Sequence, residues 1–120
     1  NIFLVGFSEG AIVSATLSTE LGQPLRARVI EGWTCQAAGW PEYRGLNPAT
    51  IEPVLTLVAE GDPWFQNHWT KGDCAEFINK ENGSRSVVYD QGPLQYTHSL
   101  LHNEDVQQLV IAFLQAHLVE

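Results

Sequence analysis

Ile2-Phe3-Leu4-Val5-Gly6-Phe7-Ser8-Glu9-Gly10-Ala11 is the stretch whose reading decides the fold. Four apolar residues, three of them branched aliphatics, run straight into G-x-S-x-G, and the small residues Ala11, Ser14 and Ala15 follow, on which a helix can start at once. The pattern reads as a strand, a sharp turn with Ser8 at its apex, and a helix. The flanking glycines supply room, because a serine in a strained turn needs neighbours without a Cβ if strand and helix are to approach closely. The helix start would aim free backbone N–H groups and its positive dipole end at whatever the serine attacks. G-x-S-x-G also arises by chance around inert serines, so its weight comes from the strand before it and the helix start after it.

Outward from that turn, Ala11 to Leu21 reads as a helix with Gly22 as its stop, and Arg26 to Gly32 as a short strand closed by glycine. Trp33 to Thr50 contains Gly39, Pro41, Gly45 and Pro48 and cannot be one regular helix. Its aromatics, Trp33, Trp40 and Tyr43, either pack on their own domain or wall an apolar pocket. Pro53-Val54-Leu55-Thr56-Leu57-Val58-Ala59 is a nearly continuous apolar run, as in a strand buried on both faces of a parallel sheet. It ends in Glu60-Gly61-Asp62-Pro63-Trp64, on the rim where open α/β sheets keep their ligand chemistry. Thr70 to Lys80 reads as a helix with Phe77 and Ile78 as core residues, Arg85 to Asp90 as a strand, and Gly92 to Leu101 as a loop holding His98. Asn103 then caps a final helix in which Val106, Leu109, Val110, Phe113 and Leu114 recur at the helical period. Four strands, roughly 1–5, 26–31, 53–59 and 85–90, separated by helices or long crossovers, imply an α/β fold with a mostly parallel sheet and helices on its faces in three layers.

Composition bounds the function. The 120 residues, 44% of them hydrophobic, suffice for one domain with a real core, and a net charge of −8 without any basic run argues against nucleic acid and anionic membranes as partners. No apolar stretch is long enough to span a bilayer. The chain contains no methionine and opens directly on a core-type strand, which reads as the C-terminal part of a longer protein. A cytoplasmic location is the expectation, with any leader assigned to the portion before Asn1. Cys35 and Cys74 lack a C-x-x-C or histidine-ligand pattern, which argues against zinc, and they read as two free thiols. No motif calls for a cofactor.

In a parallel sheet Ser8, Asp62 and His98 all follow strands on the same rim. A serine hydroxyl needs a base at neutral pH; an imidazole serves, and a carboxylate behind it fixes the tautomer and stabilises the imidazolium. Glu60 rivals Asp62 for the acid, and His102 rivals His98. His68, on a loop or helix start, and His117, on the outer face of the last helix, read as solvated, and Asp73, Asp90 and Asp105 as surface or capping carboxylates.

With these residues in hand, the sequence resembles the α/β-hydrolase family, and more closely its small, cap-poor members such as the dienelactone hydrolase and serine esterase groups. The resemblance rests on Leu4 to Ala11, on Pro53 to Trp64, and on Val87-Val88-Tyr89-Asp90 leading through Gly92 to His98-Ser99-Leu100-Leu101. It covers nearly the whole chain but only the family's second half. It implies Ser8 as nucleophile, Asp62 as acid, His98 as general base and the Glu9 backbone N–H as one oxyanion donor. The first four strands of the family, and the loop with its second oxyanion donor, have no counterpart here. Dienelactone hydrolases carry cysteine at the elbow, so Ser8 implies an esterase-like or peptidase-like relative. A small acyl substrate, with Trp33, Trp40 and Trp64 lining its pocket, is the resulting expectation. The alternative is a non-catalytic fragment or interaction module, which self-associates or pairs with an N-terminal half through the apolar edge at Ile2 to Val5.

Overall fold

The computed structural model describes residues 2–18 and 25–119. Strands β1 (Phe3–Phe7), β2 (Ala27–Glu31), β3 (Val54–Ala59) and β4 (Arg85–Tyr89) form one sheet in the order β1-β2-β3-β4, parallel throughout. Helix α1 (Glu9–Thr16) follows β1, and helix α2 (Glu104–Ala116) closes the chain. The register sets Phe7 opposite Glu31, Glu31 opposite Leu57, and Ala59 opposite Tyr89, so β1 and β2 end two residues short of β3 and β4, and the residues beyond all four share one rim.

Side chains alternate across a strand, and the two sets enter different clusters. Ala27, Val29, Leu55, Leu57 and Ala59 pack with Val106, Val110 and Phe113 of α2 and with Leu100. Ile30 and Val54 pack instead with Ala11 and Ala15 of α1 and with Trp33, Cys35, Ala37 and Cys74. Helix α2 forms where its periodicity places it: the Asn103 side chain accepts from Val106 N–H, Glu104 and Asp105 occupy the positive first turn, and Val106, Val110 and Phe113 are buried. Burying each of these three side chains contributes about 1.5–3 kcal/mol.

Helix α1 can lie close to β1 because of Gly6. A Cβ there would stand 2.3 Å from Ser14 Oγ and 2.5 Å from the Gly10 carbonyl oxygen, a separation no real side chain tolerates. Gly10 behaves otherwise, since a Cβ on it would meet open space. The close approach therefore comes from the first glycine of the motif alone.

Several sequence expectations are corrected. Cys35 and Cys74 are not free thiols but form a disulfide across 39 residues. The loops after β2 and β3 leave the sheet side by side, so the two sulfurs meet although nothing in their spacing announces it. Thr70 to Lys80 is not a helix; it holds only the 3-10 turns Ala75–Phe77 and Lys80–Asn82. Short polar side chains hold the backbone in turns there: Asp73 accepts from Ala75 N–H, Asn79 accepts from Glu81 N–H, and Cys74 is fixed by the disulfide. Strand β1 runs two residues further than expected, to Phe7, and is half-exposed at the sheet edge. The helix expected to reach Leu21 ends at Thr16, and its expected stop, Gly22, lies outside the described residues.

The sequence reading missed a buried ion pair. Arg28 Nε donates to Glu52 Oε2 at 2.8 Å with both side chains fully buried, and Nη1 donates to the carbonyl oxygens of Ser14 and Leu17 at the end of α1. Among the described residues no helix is long and apolar enough to cross a membrane.

Candidate active site

Ser8 sits between β1 and α1 with φ 58° and ψ −117°, a left-handed backbone that a residue with a Cβ adopts at a cost of about 1–3 kcal/mol. Two sets of bonds hold it there. Its N–H donates to the Glu31 carbonyl oxygen at 2.9 Å, and its own carbonyl accepts from Ala11 and Ile12 at the start of α1. The strained turn lifts the hydroxyl out of the strand toward the rim.

Asp62 comes three residues after β3, where the chain turns into the 3-10 segment Pro63–Phe65. It is fully buried, and its Oδ1 accepts from Trp64 N–H at 2.9 Å. Its Oδ2 lies 2.5 Å from His98 Nδ1, and His98 Nε2 lies 2.9 Å from Ser8 Oγ. A carboxylate accepts only, so the bond pattern assigns the imidazole proton to Nδ1 and leaves Nε2 to accept from the serine hydroxyl. Hydroxyl, imidazole and carboxyl thus form one continuous chain of hydrogen bonds, with the His98 side chain 16% exposed and Asp62 sealed behind it.

Aromatic rings surround the imidazole. Phe7 lies 5.3 Å from it between ring centroids, and Trp64 and Phe65 lie 5.8 Å from it. Phe7 and Trp64 are exposed, giving the open side of the site an apolar border. Trp33 is buried in the core and meets Phe65 edge to face. Trp40 packs instead on Trp69. Of the three tryptophans expected around a pocket, Trp64 is thus the one whose ring adjoins His98. Glu9 opens α1, and its N–H, in the first turn, has no carbonyl one turn back within the helix to bond.

The rival residues lie elsewhere. Glu60 is exposed and accepts from the Gln95 side chain. His102 is exposed at the end of a 3-10 turn, and His68 stacks on Trp69. His117 is half-buried against Phe113, and its pKa is lowered by desolvation and by Arg26. A cavity of about 800 Å³ opens at the opposite end of the strands, lined by Ile2, Arg26, Pro53 and His117 among others, and touches none of Ser8, Asp62 or His98.

Reading the sequence missed Glu31. It ends β2 on the same rim, is fully buried, and its Oε1 accepts from Leu101 N–H at 3.0 Å, while Oε2 makes no hydrogen bond among the described residues. Burial is the main cause that raises its pKa from 4.5 to about 7; the backbone N–H groups of Leu101 and Leu100 and the charge of His98 pull it down, and Asp62 pushes it up. The available signal was position: Glu31-Gly32 leaves its strand beside Phe7-Ser8.

No protein-family model, curated protein or solved structure matches this chain.

Proposed function

We propose that the protein is a serine hydrolase of the α/β-hydrolase type, with helices in layers on both faces of its sheet, that cleaves a carboxylic ester or related acyl compound. The observation that carries this reading is the run Ser8 Oγ, His98 Nε2, His98 Nδ1, Asp62 Oδ2, with contacts of 2.9 and 2.5 Å, on a serine held in a left-handed turn at the start of a helix. In the reaction Ser8 Oγ attacks the acyl carbon as His98 Nε2 takes its proton, and Asp62 stabilises the imidazolium. The oxyanion faces the Glu9 N–H. Collapse of the tetrahedral intermediate breaks the bond to the leaving alkoxide, which takes the proton from His98 and leaves an acyl-Ser8. Water then attacks, with His98 as base, releasing the acid and restoring Ser8. The apolar border of Phe7 and Trp64 favours an uncharged substrate.

The Cys35–Cys74 bridge supports an oxidising compartment in place of the cytoplasmic location expected from the sequence, because cytosolic thiols are kept reduced. A second reading, an interaction module, draws on β1, an edge strand of the sheet among the described residues, where Val5 and Phe7, and Ile2 just before it, are exposed.

A fluorophosphonate probe separates the two. Labelling that disappears in Ser8→Ala, a loss of about 10⁶-fold in rate, is the outcome expected of the hydrolase. A folded, disulfide-intact chain that takes up no label would leave the interaction module standing.

A further inference from the structure

We propose that Glu31 is a positioning residue that fixes the spacing between Ser8 and His98, its main chain holding the serine and its buried side chain holding the histidine loop. The carbonyl oxygen of Glu31 accepts the N–H of Ser8 at 2.9 Å, and its side-chain Oε1 accepts the N–H of Leu101 at 3.0 Å, three residues beyond His98. One residue thereby ties both partners of the nucleophile–base bond to the end of β2. The next residue continues the fit: Gly32 has φ +78°, and a Cβ there would stand 3.3 Å from His98 Cε1 and 3.5 Å from Ser8 N.

A carboxyl is a costly way to fill a buried position, since an apolar side chain of the same shape avoids the desolvation. What an apolar side chain does not do is accept the Leu101 N–H. The loop from Tyr89 to Leu100 has only short 3-10 turns of its own, so its hold on the sheet determines where the imidazole stands. Among the described residues Oε2 makes no hydrogen bond, so the bond through Oε1 is the side chain's tie to the histidine loop. Misplacing a reacting group by about 1 Å lowers a rate by about 100-fold.

The proposal rests on the serine-hydrolase reading for its rate prediction but has a readout of its own, the His98 Nδ1–H proton resonance, which reports the bond to Asp62 whether or not the chain hydrolyses anything. In Glu31→Leu, fluorophosphonate labelling slows by about 100-fold and the resonance broadens or disappears. Glu31→Gln, whose amide oxygen still accepts from Leu101, restores both to within a few-fold of wild type. Glu31→Asp, one methylene too short to reach Leu101, behaves like Glu31→Leu and carries the test should the leucine variant not fold. A folded Glu31→Leu or Glu31→Asp protein with wild-type labelling and an unchanged resonance overturns the proposal, as does a Glu31→Gln protein as impaired as Glu31→Leu. If wild type takes no label yet the resonance responds as described, positioning by Glu31 stands and the hydrolase reading falls.

Discussion

Two buried carboxyls in this protein meet basic partners, and they face opposite prospects. Glu52 is bonded to Arg28 with both side chains sealed from water, and the guanidinium also closes the end of α1 through the Ser14 and Leu17 carbonyls. Asp62 is bonded to His98, whose other nitrogen reaches Ser8 at a rim where the imidazole is 16% exposed. Arginine keeps its proton at any working pH, so the first pair only holds structure. An imidazole can take a proton at one nitrogen while the other stays bonded to the carboxylate, so the second pair has chemistry open to it. The contrast teaches that the identity of the base and its access to the outside, more than the burial of the acid, separate a brace from a hydrogen-bonded chain open to the surface.

The largest effect that would sharpen this contrast comes from Asp62→Asn. It forces the imidazole into the wrong tautomer and should slow labelling of Ser8 by about 10⁴-fold, with the thermal midpoint little changed; a loss under tenfold would erase the distinction between the pairs. Glu52→Ala should do the reverse, leaving the Arg28 charge uncompensated and costing about 5 kcal/mol in urea unfolding while any folded fraction labels normally. Next in size, reducing the Cys35–Cys74 bridge frees a closure of 39 residues and should cost about 4 kcal/mol, read as the difference between unfolding curves with and without reductant.

The smallest effect concerns Glu31, a buried acid that forms no ion pair among the described residues. Burial raises its pKa to about 7, so between the unfolded value of 4.5 and pH 7 the folded chain keeps a proton the unfolded chain has lost. Its contribution is favourable below that window, declines as pH rises through it, and levels off above pH 7 at a cost of about 3 kcal/mol. Glu31→Gln should flatten that decline in unfolding measurements between pH 4 and 8, whereas an unchanged slope would mean that the carboxyl is better solvated than its burial implies.

Most of the strand framework was readable because apolar runs bounded by turn residues leave few other choices. Val54 to Ala59 reads as a strand buried on both faces, and all six of its residues are buried. Asn103 and the spacing of Val106, Val110 and Phe113 likewise specify α2 from local chemistry. Ser8, Asp62 and His98 were legible as residues that parallel strands deliver to one rim. Contacts set by tertiary packing were not: Arg28 reads as an ordinary strand residue until Glu52 arrives from a distant loop, and the cysteines show no motif. The segment from Thr70 to Lys80 misled because its few apolar residues suit a helix, while Asp73 and Asn79 divert the backbone into turns.

The bridge between Cys35 and Cys74 closes a covalent ring that contains the whole of β3 and Asp62. A protease that severs the exposed turns inside this ring, around Trp40 or Trp69, therefore releases nothing. Both halves of the severed backbone stay fastened to each other, and the nick becomes visible only when a reducing agent lets the pieces part.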